Sequence, residues 1–426
     1  MIAFQKIPIK RWTFVLLALL LIKPASVPAQ SGGGAKNTLT TQKLEELREK
    51  GSAALFNLDY DAARQTFKEM ARLAPDDPIG SQMLAWTLWL ETLNKSRWRQ
   101  GAIYSSQSFT ANAEDKPDPR VAQEFRDLMR QAMQLARSRL QRNPRDPQAL
   151  YTFGAIENLN ASFELTVEAR FLAGLRDSSS GVDRHREVIK LDPNFHDAEL
   201  TIGMYDYVVG NLPLALKLVA SLAGARGSKK RGMLTLERVA KDGHWERDNA
   251  KLLLMVLYKH QRRFAESLAL SRELQEKYPH NYLFKLETAD AFASEAIAER
   301  QANRIPAADA LEKEALSMFD SLLREHSAVG AAIGRLDLIH FRYGETLLLL
   351  GQPDSAAQQF HLATTAAGAD AGLVTRAHLR DAQSLDLAGK RTEALAEYRL
   401  VTTRPNTDDS LAQARRGLKE PYKMGK

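Results

Sequence analysis

Cysteine is absent from all 426 residues. That removes disulfides, thiolate chemistry, cysteine-held zinc and lipid attachment at an N-terminal cysteine, so the fold has to be held by packing. Charge of one sign is also scarce. There are 59 basic and 52 acidic residues, and setting aside Lys6, Lys10, Arg11 and Lys23 of the opening segment leaves 55 against 52, or +3. This balance gives no electrostatic footprint for nucleic acid. The nine histidines are dispersed, with no HExxH and no histidine pair at helical spacing with an acidic partner. No metal site and no cofactor are therefore expected. There is no GxSxG elbow, and "GARGSKKRG" lacks the order of a phosphate loop and follows a helical pattern instead of a strand. No catalytic residue stands out, and the chain reads as non-enzymatic.

Long apolar runs are missing too, apart from the opening. Residues 1–29 carry a cationic start, an apolar run from Trp12 to Ile22, and Val27-Pro28-Ala29, with small residues where a signal peptidase reads. A cleaved signal peptide and an exported, periplasmic or envelope-associated protein are expected. The alternative is an N-terminal membrane anchor, but the run spans only about 16 Å as a helix, roughly half a bilayer core. Residues 30–41, beginning "QSGGGAKNT", read as a flexible linker.

Beyond it apolar residues recur at three- and four-residue spacing between turn signals, and no stretch alternates as a strand would. The chain is all-α. In "LEELREKGSAALFNLDYDAARQTFKEMARLAPDDP", Gly51, Tyr60, Ala63, Phe67 and Pro75 alternate small and large before a helix stop. Two antiparallel helices approach closely only where side chains at the crossing are small, a large ring fills the wedge, and proline ends the second helix. The pattern returns at Gly344, Ala356, Phe360 and Ala363, at Ala382, Ala394, Tyr398 and Pro405, and more weakly at Phe264, Ser267, Leu274 and Pro279. Helix starts near Gly154 and Gly203 complete the series.

These spacings resemble the tetratricopeptide repeat family. The resemblance implies a right-handed α-solenoid of antiparallel helical hairpins. Its expected divisions are N-terminal hairpins over 42–142 with an irregular loop near 94–116, central variant repeats over 143–300, and C-terminal repeats over 301–426. The middle segment further resembles the tetratricopeptide repeat protein 39 and inclusion-body clearance family, through Gly203, Leu212, Pro213, Leu216, Lys217, Leu218, Gly227, Gly232 and Leu234. That resemblance implies an adaptor-type protein, with links to lipid and aggregate handling in eukaryotes.

Inside this segment, Asp206 between Tyr205 and Tyr207 is either a desolvated acid or base or a packing residue with a hydroxyl partner. The run "NLPLALKLVASLAG" reads as a short helix buried between neighbours, with insertion into a membrane as the alternative. Arg226, Lys229, Lys230 and Arg231 form a basic patch in the turn beyond it: a solvated loop, or a docking point for an acidic protein segment or a membrane surface.

In tetratricopeptide repeats the first helix of each hairpin lines the concave face. On this chain the resemblance puts Arg48, Tyr151, Asn158, Met204, Tyr207, Asn249, Arg376 and Gln383 there. Amide, tyrosyl and guanidinium groups suit an extended peptide backbone. A protein or peptide partner is expected, with no nucleic acid. Trp86 and Trp89 read as core, whereas Trp98 and Tyr104 could form a lid or stack on a glycan, which makes a carbohydrate- or cell-wall-binding protein the second reading. An enzyme on a helical frame is the third.

Overall fold

The computed structural model describes residues 35–95, 118–168, 171–212, 226–328 and 335–424, with four further positions between 213 and 225. The expected signal peptide, residues 30–34 of the linker, Trp98, Tyr104, Pro213, Leu216 and Gly224 lie outside the described residues. Among those described there is no strand. No helix among the described residues is long and apolar enough to cross a membrane.

By contact the described chain separates into two units, 35–91 with 118–254, and 92–95 with 255–424. Neither expected division, at 142 or at 300, coincides with this one. The first unit contains α1 (Ala35–Phe56), α2 (Tyr60–Leu73), most of α3 (Ile79–Lys95), α4 (Pro119–Arg142), α5 (Pro147–Thr166), α6 (Phe171–Leu191), α7 (Glu199–Gly210), α8 (Lys229–Asp242) and the start of α9 (Arg247–His260). In the second are the end of α9, α10 (Phe264–Lys277), α11 (Tyr282–Gln301), α12 (Ile305–Ala328), α13 (Leu336–Leu349), α14 (Pro353–Thr365), α15 (Ala371–Leu387), α16 (Arg391–Thr402) and α17 (Ser410–Lys419). Helix α1 starts at Ala35, so the second half of the expected linker is helical. Within each unit successive helices pack in sequence order, as hairpins of tetratricopeptide type in an α-solenoid do.

Among the described residues one turn is built five times. Leu58, Arg262, Asn303, Gly351 and Gly389 all have φ between 60° and 78°, each two residues before the second helix of its hairpin. The N–H one residue later bonds the carbonyl five residues back: Asp59 to Ala54, Arg263 to Tyr258, Arg304 to Glu299, Gln352 to Leu347 and Lys390 to Leu385, at 2.8–2.9 Å. This Schellman arrangement needs a left-handed residue, which glycine supplies without strain and Leu58 and Arg262 do not. Where the second helix starts, Asp59 accepts from the Ala62 N–H and Pro353 occupies the first turn.

The crossings are as the spacing requires. A Cβ on Gly51 would lie 2.4 Å from the buried Phe67 ring, and one on Gly344 would lie 2.7 Å from Phe360. Ala63, Ala356, Ala363, Ala382, Ala394, Ser267 and Leu274 are buried as well. In the central repeats a pair of glycines faces each other across each crossing, Gly154 with Gly181 in α5 and α6, and Gly203 with Gly232 in α7 and α8.

The last pair joins α8 to α7. The sequence puts the run between them, "NLPLALKLVASLAG", in a buried position, but of its described residues Leu214 and Leu218 are 75% and 60% exposed. Glycine at 232 lets α8 lie against backbone, a role that 3.6-residue periodicity alone does not distinguish from a loop glycine.

Gly232→Ala tests this crossing. Its Cβ would meet the Tyr207 nitrogen at 2.5 Å and the Gly203 oxygen at 2.6 Å, backbone atoms that cannot rotate away. We expect a loss of about 1–3 kcal/mol in urea denaturation; an unchanged midpoint contradicts the α7–α8 packing.

Candidate functional site

The first unit gathers its polar side chains around Asp197. One oxygen of Asp197, just before α7, accepts from the backbone N–H groups of His244, Trp245 and Glu246 at 3.0, 3.0 and 2.8 Å. Those groups precede α9 and would otherwise be unsatisfied. The cap aims Glu246 inward, where its carboxylate accepts from the Tyr151 hydroxyl at 2.9 Å and from Asn249 Nδ2 at 2.6 Å. Burial, with Glu246 alongside, pushes the Tyr151 hydroxyl far above its ordinary range. Tyr151 also stacks on His185, ring centroids 4.9 Å apart.

Arg48 enters this cluster from α1 and is fully buried. Its guanidinium lies over the Trp245 ring, 3.8 Å from the centroid. Yet Nε, Nη1 and Nη2 make no hydrogen bond. Burial lowers its pKa to about 10 against the pull of Tyr151, Glu45, Glu246 and Asp197. Around it other buried atoms are also unpaired: Ser52 Oγ one turn along α1, Trp245 Nε1, Asn249 Oδ1, Glu45 Oε2, and Gln148 Oε1 one turn before Tyr151. Burial pushes Glu45 up to about 6. Leaving a buried guanidinium without partners costs several kcal/mol, and the fork it presents matches a carboxylate or phosphate edge.

Each residue expected on the concave wall is buried. Arg48, Tyr151 and Asn249 come together in the cluster just described. Asn158 instead donates to the Gly154 carbonyl at 2.9 Å beside the α5–α6 crossing. Met204 and Tyr207 sit in the α7–α8 hairpin, with Lys229 Nζ 5.7 Å from the Tyr207 centroid. In the second unit Arg376 lies over Phe341, and Gln383 accepts from Arg380 at 2.7 Å while lining a cleft of about 690 Å³ with Tyr398 and Tyr422. As a solvent-open wall the set is corrected, because close packing of hairpins encloses these positions.

The basic patch also changes. Lys229, Lys230 and Arg231 form the first turn of α8, capped by Ser228, and are not in a loop. Arg231 leaves the patch to hold Asp206 bidentately, through Nε and through Nη2 at 2.7 Å to Oδ1. Each Asp206 oxygen thus accepts one hydrogen bond from Arg231. Arg226, Lys229 and Lys230 remain exposed. Trp86 and Trp89 are core, Trp89 donating to Thr166 Oγ1 at 2.8 Å.

The second unit handles its buried charges differently. Glu287 and Asp290 of α11 take Lys259 from α9 and Arg342 from α13, with Lys259–Glu287 at 3.2 Å and Arg342–Glu287 at 2.7 Å. Arg380 of α15 then grips Glu345 of α13 with two nitrogens. First helices of successive hairpins are tied by charges that satisfy one another.

No protein-family model matches the sequence, and no curated protein matches it. Solved structures with likeness include a tetratricopeptide repeat protein from Thermus thermophilus at 16% identity, TM-score 0.32, covering 59% of this chain and 98% of its own. A human IFIT1 dimer with PPP-AAAA gives 11% identity and TM-score 0.45 over 95% of this chain and 89% of that one. Yeast Tom70 gives 12% and 0.33, covering 90% of each.

His185 supplies a pH test of this core. Its Nε2 donates to the Tyr151 carbonyl at 3.0 Å and Nδ1 accepts from Thr201 Oγ1 at 2.5 Å, and burial lowers its pKa to about 4. The unfolded chain therefore binds the proton first. The stability this neutral ring contributes is complete above about pH 6.5 and falls by about 3 kcal/mol as pH drops to 4. Urea denaturation of the wild type and His185→Gln should converge between pH 7 and 4.5; a constant difference contradicts this.

Proposed function

We propose that the protein is a non-enzymatic repeat scaffold that captures an acidic segment of a protein partner, with Arg48, fully buried in the closed state, as an anchor reached when the hairpins around it part. The observation that carries this reading is the buried Arg48 guanidinium, stacked on Trp245 with three nitrogens unbonded. An ion kept in that state costs stability that an apolar residue would not, and such a cost is typical of binding sites. Nearby unpaired acceptors, Asn249 Oδ1 and Gln148 Oε1, suit the N–H groups of a peptide. A bare phosphate would leave them unmet. Asp206 paired bidentately with Arg231 is consistent with a structural role for that carboxylate, which favours a scaffold. The adaptor role implied by the middle segment's resemblance agrees with it. The proposal places the scaffold in the cell envelope, on the pattern of residues 1–29.

Fluorescence polarisation with acidic peptides, and with the same peptides in amide form, tests the anchor. The full chain should prefer the acidic set, and Arg48→Met should weaken it at least tenfold. Without peptide, Arg48→Met should match or exceed the wild type in stability by about 1–3 kcal/mol. Equal binding by both proteins, or a marked loss of stability, contradicts the proposal.

A further inference from the structure

Three helices of the second unit bring one imidazole and two carboxylates together. His361 of α14, Asp381 of α15 and Glu397 of α16 place a ligand atom each within 4.8 Å of one another. Small residues set this approach: Ala357, Ala382 and Ala394 are buried in the same apolar cluster with Tyr398, one turn or less from the three polar side chains. The helices can then pack closely enough for short side chains to meet.

Asp381 is the informative member. It is only 4% exposed, and no hydrogen bond or ion pair reaches its carboxylate. Its charged neighbours, Glu397 and Glu393, are of like sign, and burial beside them pushes it up to about 8. A buried ionised carboxylate facing other carboxylates is unfavourable, and either a proton or a shared cation relieves it. Glu397 is already oriented, because its Oε2 meets His378 Nδ1 at 2.6 Å. Such hydrogen bonds to a ligating group fix its direction and raise its affinity for metal. His361 is exposed, so a cation can enter from solvent past the imidazole.

From these positions we infer that His361, Asp381 and Glu397 form a divalent metal site selective for zinc. Zinc takes imidazole nitrogen and carboxylate oxygen at about 2.0–2.2 Å, which in tetrahedral geometry separates ligand atoms by about 3.4 Å. Closing from a spread of up to 4.8 Å takes about 1.4 Å, within reach of the exposed His361 side chain. The fourth position is left to water or to a donor from a partner. Magnesium, which demands six oxygens in near-octahedral geometry, fits the imidazole poorly. Bound zinc would pin α14, α15 and α16 together.

Isothermal titration of the full, metal-stripped chain with zinc chloride alone tests this. One zinc site should disappear in Asp381→Asn and in His361→Ala, and persist in His280→Ala, an exposed histidine elsewhere. Zinc at about a hundred times its Kd should raise the wild-type Tm by roughly 5 °C and leave Asp381→Asn unmoved. Without metal, Asp381→Asn should melt no lower than the wild type, because the amide ends the repulsion. If that variant does not fold, the exposed His361→Ala decides the matter. Zinc binding that is absent in the wild type, equal in the two ligand variants, or matched by magnesium overturns the proposal.

Discussion

Close helix crossing is the constraint on which everything else in this chain depends. With no cysteine to hold it, each hairpin relies on a position where a Cβ is missing or minimal. Gly51 lies under Phe67, Gly344 under Phe360, and Gly232 on the backbone of α7. The hairpin turn serves the same end: the left-handed residue and its five-back hydrogen bond return the second helix at a fixed angle, even where Leu58 or Arg262 is strained by it. Aromatic rings then fill the wedges, and the first helices of neighbouring hairpins approach until their polar side chains are enclosed.

That enclosure decides the chemistry of the polar positions. In the second unit Lys259, Glu287, Asp290, Arg342, Glu345 and Arg380 pair among themselves. A network complete in itself specifies how successive hairpins align and offers little to a ligand. Arg48 has no such closure: the carboxylate of Glu246 is taken by Tyr151 and Asn249, and Asp197 is committed to capping α9. What remains is a guanidinium against an aromatic face with no hydrogen bond among the described residues, and the proposed capture of an acidic segment rests on that difference.

Fold is the most legible level of the sequence, because repeat packing needs particular residue sizes at particular spacings. Ala63, Phe67, Ala356, Phe360 and Tyr398 all stand where that spacing puts them. Facing direction is less legible. The repeat resemblance puts Arg48, Tyr151 and Asn249 on an open wall; all three are buried in one cluster, and periodicity does not say how closely the next hairpin covers them. The helical role of "KKRG" is hidden because the glycine-rich boundary before α8 looks locally like a loop. The His361, Asp381 and Glu397 group is invisible as a motif. Its members lie on three helices, joined by the packing of Ala357, Ala382 and Ala394.

Arg48 can be observed directly. A crystal structure of the chain grown with bromide would locate an anion by its anomalous signal. The account predicts a bromide against the unbonded edge of the Arg48 guanidinium, with its face still on Trp245. An Arg48 side chain folded onto Glu45 or Glu246, with no anion beside it, would contradict the account.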